Sequence, residues 1–189
     1  MLRVIAGKYR SIPLHQPPLT ITRCTTDRVR EAIFSSIQTQ IAKARVLDGF
    51  AGSGAMAIEA LSRGAQNAVC VDVNPAAVQT IRINQQKCHI TGAELEICQT
   101  RLEYYLAQNP GPFDLIFLDP PFAIATEALD ALLEQIIQKR LLATQGMIIL
   151  ETSYNKQLIL PKQLTTIKQR TYGKSTISFL QIENNSIRK

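Results

Sequence analysis

Val46-Leu47-Asp48-Gly49-Phe50-Ala51-Gly52-Ser53-Gly54-Ala55 passes from an apolar strand through two glycines into a helical pattern. Gly52 and Gly54 let the backbone turn tightly and admit a ligand where side chains would block it. The helix N-terminus behind them offers unpaired N–H groups. Outward from this turn, strand-like runs fall at about Arg45–Phe50, Asn67–Val73, Glu94–Cys98, Phe113–Leu118 and Gly146–Glu151. Helical patterns lie between them, near Ala55–Arg63, Pro75–Lys87, Arg101–Gln108 and Thr126–Arg140, with Pro75 suited to a first turn and Gly64 to a helix end. This alternation predicts an α/β fold with a mostly parallel, doubly wound sheet. Thr166–Tyr172 and Ser175–Ile182 flank Gly173-Lys174 and predict a C-terminal antiparallel hairpin at the sheet edge, for seven strands in all. Upstream, Thr25-Thr26-Asp27 can cap a helix running to about Ile37. Residues 1–38 therefore read as a basic extension, a short hairpin plus a capped helix, ahead of a domain over 39–189.

Hydrophobic residues make up 46% of the 189 and charged ones 19%, which permits a sizeable core and excludes disorder as the dominant state. No apolar run approaches the roughly 20 residues a membrane span needs. Met1–Lys8 holds no signal-peptide stretch, so a cytoplasmic location is expected. Cys24, Cys70, Cys88 and Cys98 form no C-x-x-C pair and have only His15 and His89 to join them, so neither a metal site nor a disulfide framework is expected. The net charge of +6 is unevenly spread. Residues 1–31 carry six bases against two acids and residues 155–189 seven against one, leaving the stretch between them acidic. Such ends suit either a polyanion-binding rim or two solvated surface segments.

Three carboxylates mark strand ends. The glycines satisfy the dinucleotide fingerprint G-x-G-x-x-A, so their spacing leaves NAD open. Asp48, however, would repel a pyrophosphate and favour a cation such as the ammonium of S-adenosylmethionine. Asp72, 24 residues later, ends the second strand, where a carboxylate accepts hydrogen bonds from ribose hydroxyls. The fourth strand runs into Asp119-Pro120-Pro121-Phe122, which the usual strand order would bring to face the glycine loop. An exocyclic amine conjugated to a ring is a poor nucleophile. The Asp119 carboxylate and the Pro120 carbonyl can each accept one of its N–H bonds and turn its lone pair toward an electrophile. Two prolines stiffen the loop, and Phe122 offers a face for a planar base, worth roughly 1–3 kcal/mol. These residues alone leave other readings open: an amine methyltransferase acting on adenine in DNA or RNA, one acting on a protein glutamine, or an RNA-binding module that keeps the glycine turn for structure.

With those motifs in place the chain resembles the Rossmann-like, class I S-adenosylmethionine-dependent methyltransferases that carry a D/N-P-P-F/Y motif. More narrowly it resembles the bacterial 16S rRNA guanine-N(2) methyltransferase family called RsmD. Arg3-Val4-Ile5-Ala6-Gly7-Lys8-Tyr9-Arg10 is similar to that family's R-I-I-x-G-x-x-R-G opening, and Thr25-Thr26-Asp27-Arg28-Val29-Arg30-Glu31 to its T-T-D-R-V-R-E helix start. Asp48 to Gly54 and Glu59-Ala60-Leu61-Ser62-Arg63-Gly64-Ala65 match its D-x-F-A-G-S-G and E-A-L-S-R-G-A segments, and Asp119 to Phe122 its D-P-P-F. The resemblance implies methyl transfer to a guanine amine of 16S rRNA, within the assembled small subunit, by a monomer. It assigns Asp119, Pro120, Pro121 and Phe122 to the target base. Asp48, Phe50, Ala51, Gly52, Ser53, Gly54, Asp72, Thr25 and Thr26 fall to the cofactor, and Arg3, Lys8, Arg10, Arg23, Arg28, Arg30 and Lys174 to RNA. Gln99-Thr100-Arg101 supplies no acidic partner for the adenine amine, whose contact is left to Gln99, Thr100 or backbone.

Overall fold

The computed structural model describes residues 2–17 and 27–183. The elements run α1 (Asp27–Ser36), α2 (Gln38–Ile41), β1 (Arg45–Asp48), α3 (Ala55–Ser62), β2 (Asn67–Asp72), α4 (Pro75–Lys87), β3 (Leu95–Gln99), α5 (Leu102–Ala107), β4 (Phe113–Leu118), α6 (Thr126–Gln138), β5 (Leu142–Ser153), β6 (Leu164–Tyr172) and β7 (Ser175–Ile182). They build one seven-stranded sheet in the order β3-β2-β1-β4-β5-β7-β6. The first five strands pair in parallel, while β7 pairs antiparallel with both β5 and β6. The chain order reverses between β1 and β4, and in such sheets ligands bind outside the carboxyl ends of the strands at that reversal.

Both faces of the sheet are covered, so its central strands read as near-continuous apolar runs. Alternate residues serve opposite layers. Val46, Leu115, Phe117 and Ile149 pack with Phe34, Ile58 and Ile81 on one side. Leu47, Ile116, Leu118 and Leu150 pack with Leu106, Leu129 and Leu133 on the other. Among the described residues no helix is long and apolar enough to cross a membrane.

Some strand bounds depart from the sequence reading. β1 stops at Asp48, because Gly49 and Ala51 turn their N–H groups to Phe117 O and Val71 O on the two neighbouring strands. β5 begins four residues early, at Leu142, where it pairs with Phe113 ahead of a register shift. The segment 2–17 has no core of its own. Leu2, Val4, Tyr9 and Leu14 share a cluster with α1 and α3. Ile5 N and Ala6 N donate to the buried Glu59 carboxylate at 2.7 and 3.1 Å, and Tyr9 N donates to Ser62 Oγ at 2.9 Å. An isolated Arg3–Pro13 bridge ties the two ends of this segment together, and the segment lies along α3.

Candidate active site

The carboxyl ends of β1, β2, β4 and β5 open into a cavity of about 1430 Å³. That exceeds the roughly 300–1,000 Å³ usual for one small ligand and leaves room for two molecules side by side. Asp48, Phe50, Ala51, Gly52, Ser53 and Asp72 line one part of it, and Asp119, Pro120, Pro121 and Phe122 line another. The two motifs stand far apart in sequence and share one wall because β1 and β4 pair directly.

Local chemistry holds the glycine loop in shape. Gly52 and Gly54 adopt left-handed φ values of 53° and 74°. A Cβ on Gly54 would meet Ile81 Cγ2 at 3.1 Å in that already strained conformation. Asp72 accepts Gly52 N and Asn74 N, both at 2.8 Å, one on each oxygen, so it ties the loop to the start of α4. Asn74 caps α4 by accepting Ala76 N at 2.8 Å, with Pro75 in the first turn. Asn84 donates to Ser53 O at 2.9 Å and to His15 O at 3.0 Å, linking the loop to the N-terminal segment.

Asp48 is 3% exposed. Burial pushes its carboxyl up to about 7, opposed by a hydrogen bond from Ala57 N (3.3 Å to Oδ2) and reinforced by nearby Asp72. A buried carboxyl held near neutrality, with a second carboxylate close by, suits a ligand bearing a positive charge and opposes a pyrophosphate. Val73, 62% exposed, gives an apolar surface directly after Asp72, and Thr100, Arg101, Leu102 and Glu103 continue the lining on that side. Arg101 is ion-paired with Glu103.

After β4, Pro120 is buried, Asp119 and Phe122 are half-buried, and Pro121 is exposed. Ile124 N donates to Pro121 O at 2.9 Å and folds the loop back before α6. Among the lining residues that escaped the sequence reading is a fourth carboxylate, Glu151. Leu118 pairs in register with Leu150, so Asp119, just past the end of β4, and Glu151, still within β5, follow neighbouring positions of adjacent parallel strands, and both line the cavity. The signal was available, because Glu151 follows an apolar run, Met147–Leu150, just as Asp48, Asp72 and Asp119 follow theirs.

The basic residues assigned to RNA scatter. Arg28 is exposed and lines the cavity, and Lys174 is exposed on the β6–β7 turn, whose neighbours Gly173 and Ser175 line it too. Arg3 is exposed and 3.9 Å from Asp27. Lys8 and Arg10 sit on a turn at the far end of α3, roughly 10 Å along that helix from the cavity, with Lys8 N bonded to Ser62 O and its ammonium 3.9 Å from Glu94. Arg30 requires correction. Only 1% exposed, it donates to Asp27 Oδ1 at 3.1 Å and to Arg3 O, with its Nε 4.0 Å from Glu59, so it lies against the cavity wall as a buried, ion-paired group rather than on an exposed phosphate-facing rim. Arg23, Thr25 and Thr26 lie outside the described residues.

Comparison with known proteins agrees with this architecture. Residues 2–181 match the family described as Conserved hypothetical protein 95. "Ribosomal RNA small subunit methyltransferase D" of Haemophilus influenzae is 36% identical over 177 residues, covering 91% of this chain and 89% of its own. A solved hypothetical protein from Thermus thermophilus superposes with a TM-score of 0.81 at 26% identity over 96% of this chain and 100% of its own. An RNA methyltransferase from Salinibacter ruber, solved with S-adenosyl-L-homocysteine, shares the fold at a TM-score of 0.66 and 12% identity, over 88% of this chain and 97% of its own. The architecture is the Rossmann-like class I methyltransferase fold.

Proposed function

The chain belongs to the Conserved hypothetical protein 95 family, and from that premise we propose that it transfers the methyl group of S-adenosyl-L-methionine to the exocyclic N(2) amine of a guanine in 16S rRNA. The observation that carries the reading is a shared cavity lined both by Asp48, Gly52 and Asp72 and by Asp119 to Phe122. The name of the Haemophilus influenzae relative supports small-subunit rRNA as the substrate. We take that RNA in the assembled small subunit as the partner, met in the cytoplasm by a monomer of this chain.

The donor set fits the cofactor: a buried carboxyl for its ammonium, an anchored carboxylate for its ribose hydroxyls, and a glycine loop whose Gly52 and Ser53 line the cavity. When bound, S-adenosylmethionine supplies an electrophilic methyl group on a sulfonium, whose sulfur departs as a neutral thioether. The chain's own groups do the rest. Asp48 neutralises positive charge, and Asp72 accepts from hydroxyls. Asp119 and the Pro120 carbonyl each accept one N–H of the amine, so its lone pair is aimed at the methyl carbon rather than shared with the ring. The new N–C bond forms as the C–S bond breaks, and the amine's surplus proton leaves to Asp119 or to water. Phe122 offers a stacking face to a base turned out of its helix. Arg3, Arg28 and Lys174 supply phosphate contacts at or near the cavity mouth.

The test offers labelled S-adenosylmethionine with unmodified small subunits, naked DNA or a glutamine-bearing protein. Label should enter subunit RNA alone, and Asp119→Ala should keep cofactor binding while transfer falls at least about 100-fold. Label in DNA or protein, or normal turnover by Asp119→Ala, contradicts the proposal.

A further inference from the structure

We propose that Glu151 reads the target base by accepting the N1–H of guanine beside the amine that Asp119 and Pro120 hold; this rests on the methyl-transfer reading above. Leu118 and Leu150 pair in register and pack in one hydrophobic layer, while Phe117 and Ile149 pack in the other. One residue further on, alternation turns Glu151, still within β5 and paired with Ile177, toward the Phe117–Ile149 side, while Asp119, the first residue after β4, lines the same cavity. Both are half-buried and both line the cavity. On the next strand Glu151 pairs with Ile177, and Ser175 and Tyr172 extend the lining beyond it. A base whose amine lies against Asp119 therefore has its neighbouring ring position facing Glu151.

The chemistry of that neighbour separates the possible substrates. In guanine the amine-bearing carbon lies between N3, which carries a lone pair, and N1, which carries a hydrogen and donates; the N1 side is the one set against Glu151. Adenine and cytosine place a ring-nitrogen lone pair there, and a glutamine amide places its carbonyl oxygen next to its nitrogen. A carboxylate only accepts. Against guanine it forms a charge-assisted hydrogen bond, whereas against the other three it meets a lone pair. A pair of carboxylates on one cavity wall, from neighbouring strands, thus favours the one amine that is flanked by a second donor. Discrimination arises from the repulsion as much as from the bond.

The experiment uses the full chain with small subunits reconstituted to carry guanine or 2-aminopurine at the methylated position. 2-Aminopurine keeps the amine and has a lone pair at N1. Wild type should prefer guanine strongly. E151Q, whose amide can donate to N1, should lose at least 10-fold in kcat/KM on guanine and narrow the guanine preference at least 10-fold, with cofactor affinity within twofold by calorimetry. E151D, which keeps the carboxylate, should turn over more slowly and retain the preference, so it carries the test if E151Q does not fold. Guanine turnover by E151Q within twofold of wild type, or an unchanged base preference, overturns the assignment of Glu151 alone. Failure of wild type to methylate guanine overturns this proposal together with the function it rests on.

Discussion

Asp48 makes cofactor affinity depend on pH in a direction the structure fixes. In the folded protein without ligand its carboxyl is held up to about 7 by burial, whereas an unfolded chain would ionise it near 3.8. A cation bound beside it needs the ionised form, so binding below neutrality must expel a proton. A group titrating near 7 is about three-quarters ionised at pH 7.5 and about one-thirtieth at pH 5.5. Affinity for S-adenosylmethionine should therefore fall about 20-fold across that interval, equal to about 1.8 kcal/mol. The cofactor's own amine, an α-amino group titrating near 7.7–8.0, stays largely protonated over the same range. Calorimetry at pH 6.5 in two buffers of different ionisation heat should show about three-quarters of a proton released per ligand bound. The same burial weakens the ligand-free protein. Between the ordinary carboxyl value and about 7 the native state keeps a proton that the unfolded chain has lost, so stability declines as pH rises through that window. Asp48→Asn retains an acceptor for Ala57 N and removes the charge. It should melt several degrees above wild type at pH 8, match it near pH 4, and bind no cofactor. An affinity flat from pH 5.5 to 7.5, with no proton released, refutes the reasoning.

Two further outcomes follow from other parts of the fold. Glu59→Gln takes a carboxylate from the buried Arg30 and weakens the grip on Ile5 N, Ala6 N and Arg63, so it should lose about 3–5 kcal/mol, read as a melting temperature lower by about 10 °C; a loss below 1 kcal/mol contradicts the anchoring role. Arg28→Ala and Lys174→Ala should each lower the slope of log affinity for subunit RNA against log salt by about 0.7–0.9 while sparing cofactor binding, whereas Lys8→Ala, at the far end of α3, should alter catalytic turnover least; equal slopes for wild type and the first two variants contradict a phosphate role at the cavity mouth.

Much of the architecture was legible because local pattern and global fold agree. The central parallel strands carry apolar runs, and the carboxylates at 48, 72 and 119 each stand where such a run ends. What escaped depends on contacts distant in sequence. The early start of β5 comes from pairing with Phe113 across the sheet. The place of Lys8 comes from Glu59 and Ser62, residues more than fifty positions away that hold its segment along α3. Arg30 was readable after all. With Ile33, Phe34 and Ile37 it completes the i, i+3, i+4, i+7 spacing of a buried helix face, and the charge concealed that position. Glu59 gives the matching clue, an acid inside the otherwise apolar and wholly buried run Ala57–Leu61. Glu151 was passed over for the opposite reason, since a charged residue after an apolar run looks like an ordinary boundary until β4 and β5 are seen side by side.

The central claim is that one cavity brings a methyl donor at β1 against a guanine amine held at β4. Its most direct measurement is mass spectrometry of nucleosides from small-subunit RNA of cells lacking this protein, before and after treatment with the purified chain and isotopically labelled S-adenosylmethionine. The account predicts that labelled N2-methylguanosine appears at a single position. Labelled methyladenosine, or RNA that stays unlabelled while the chain binds its cofactor, contradicts it.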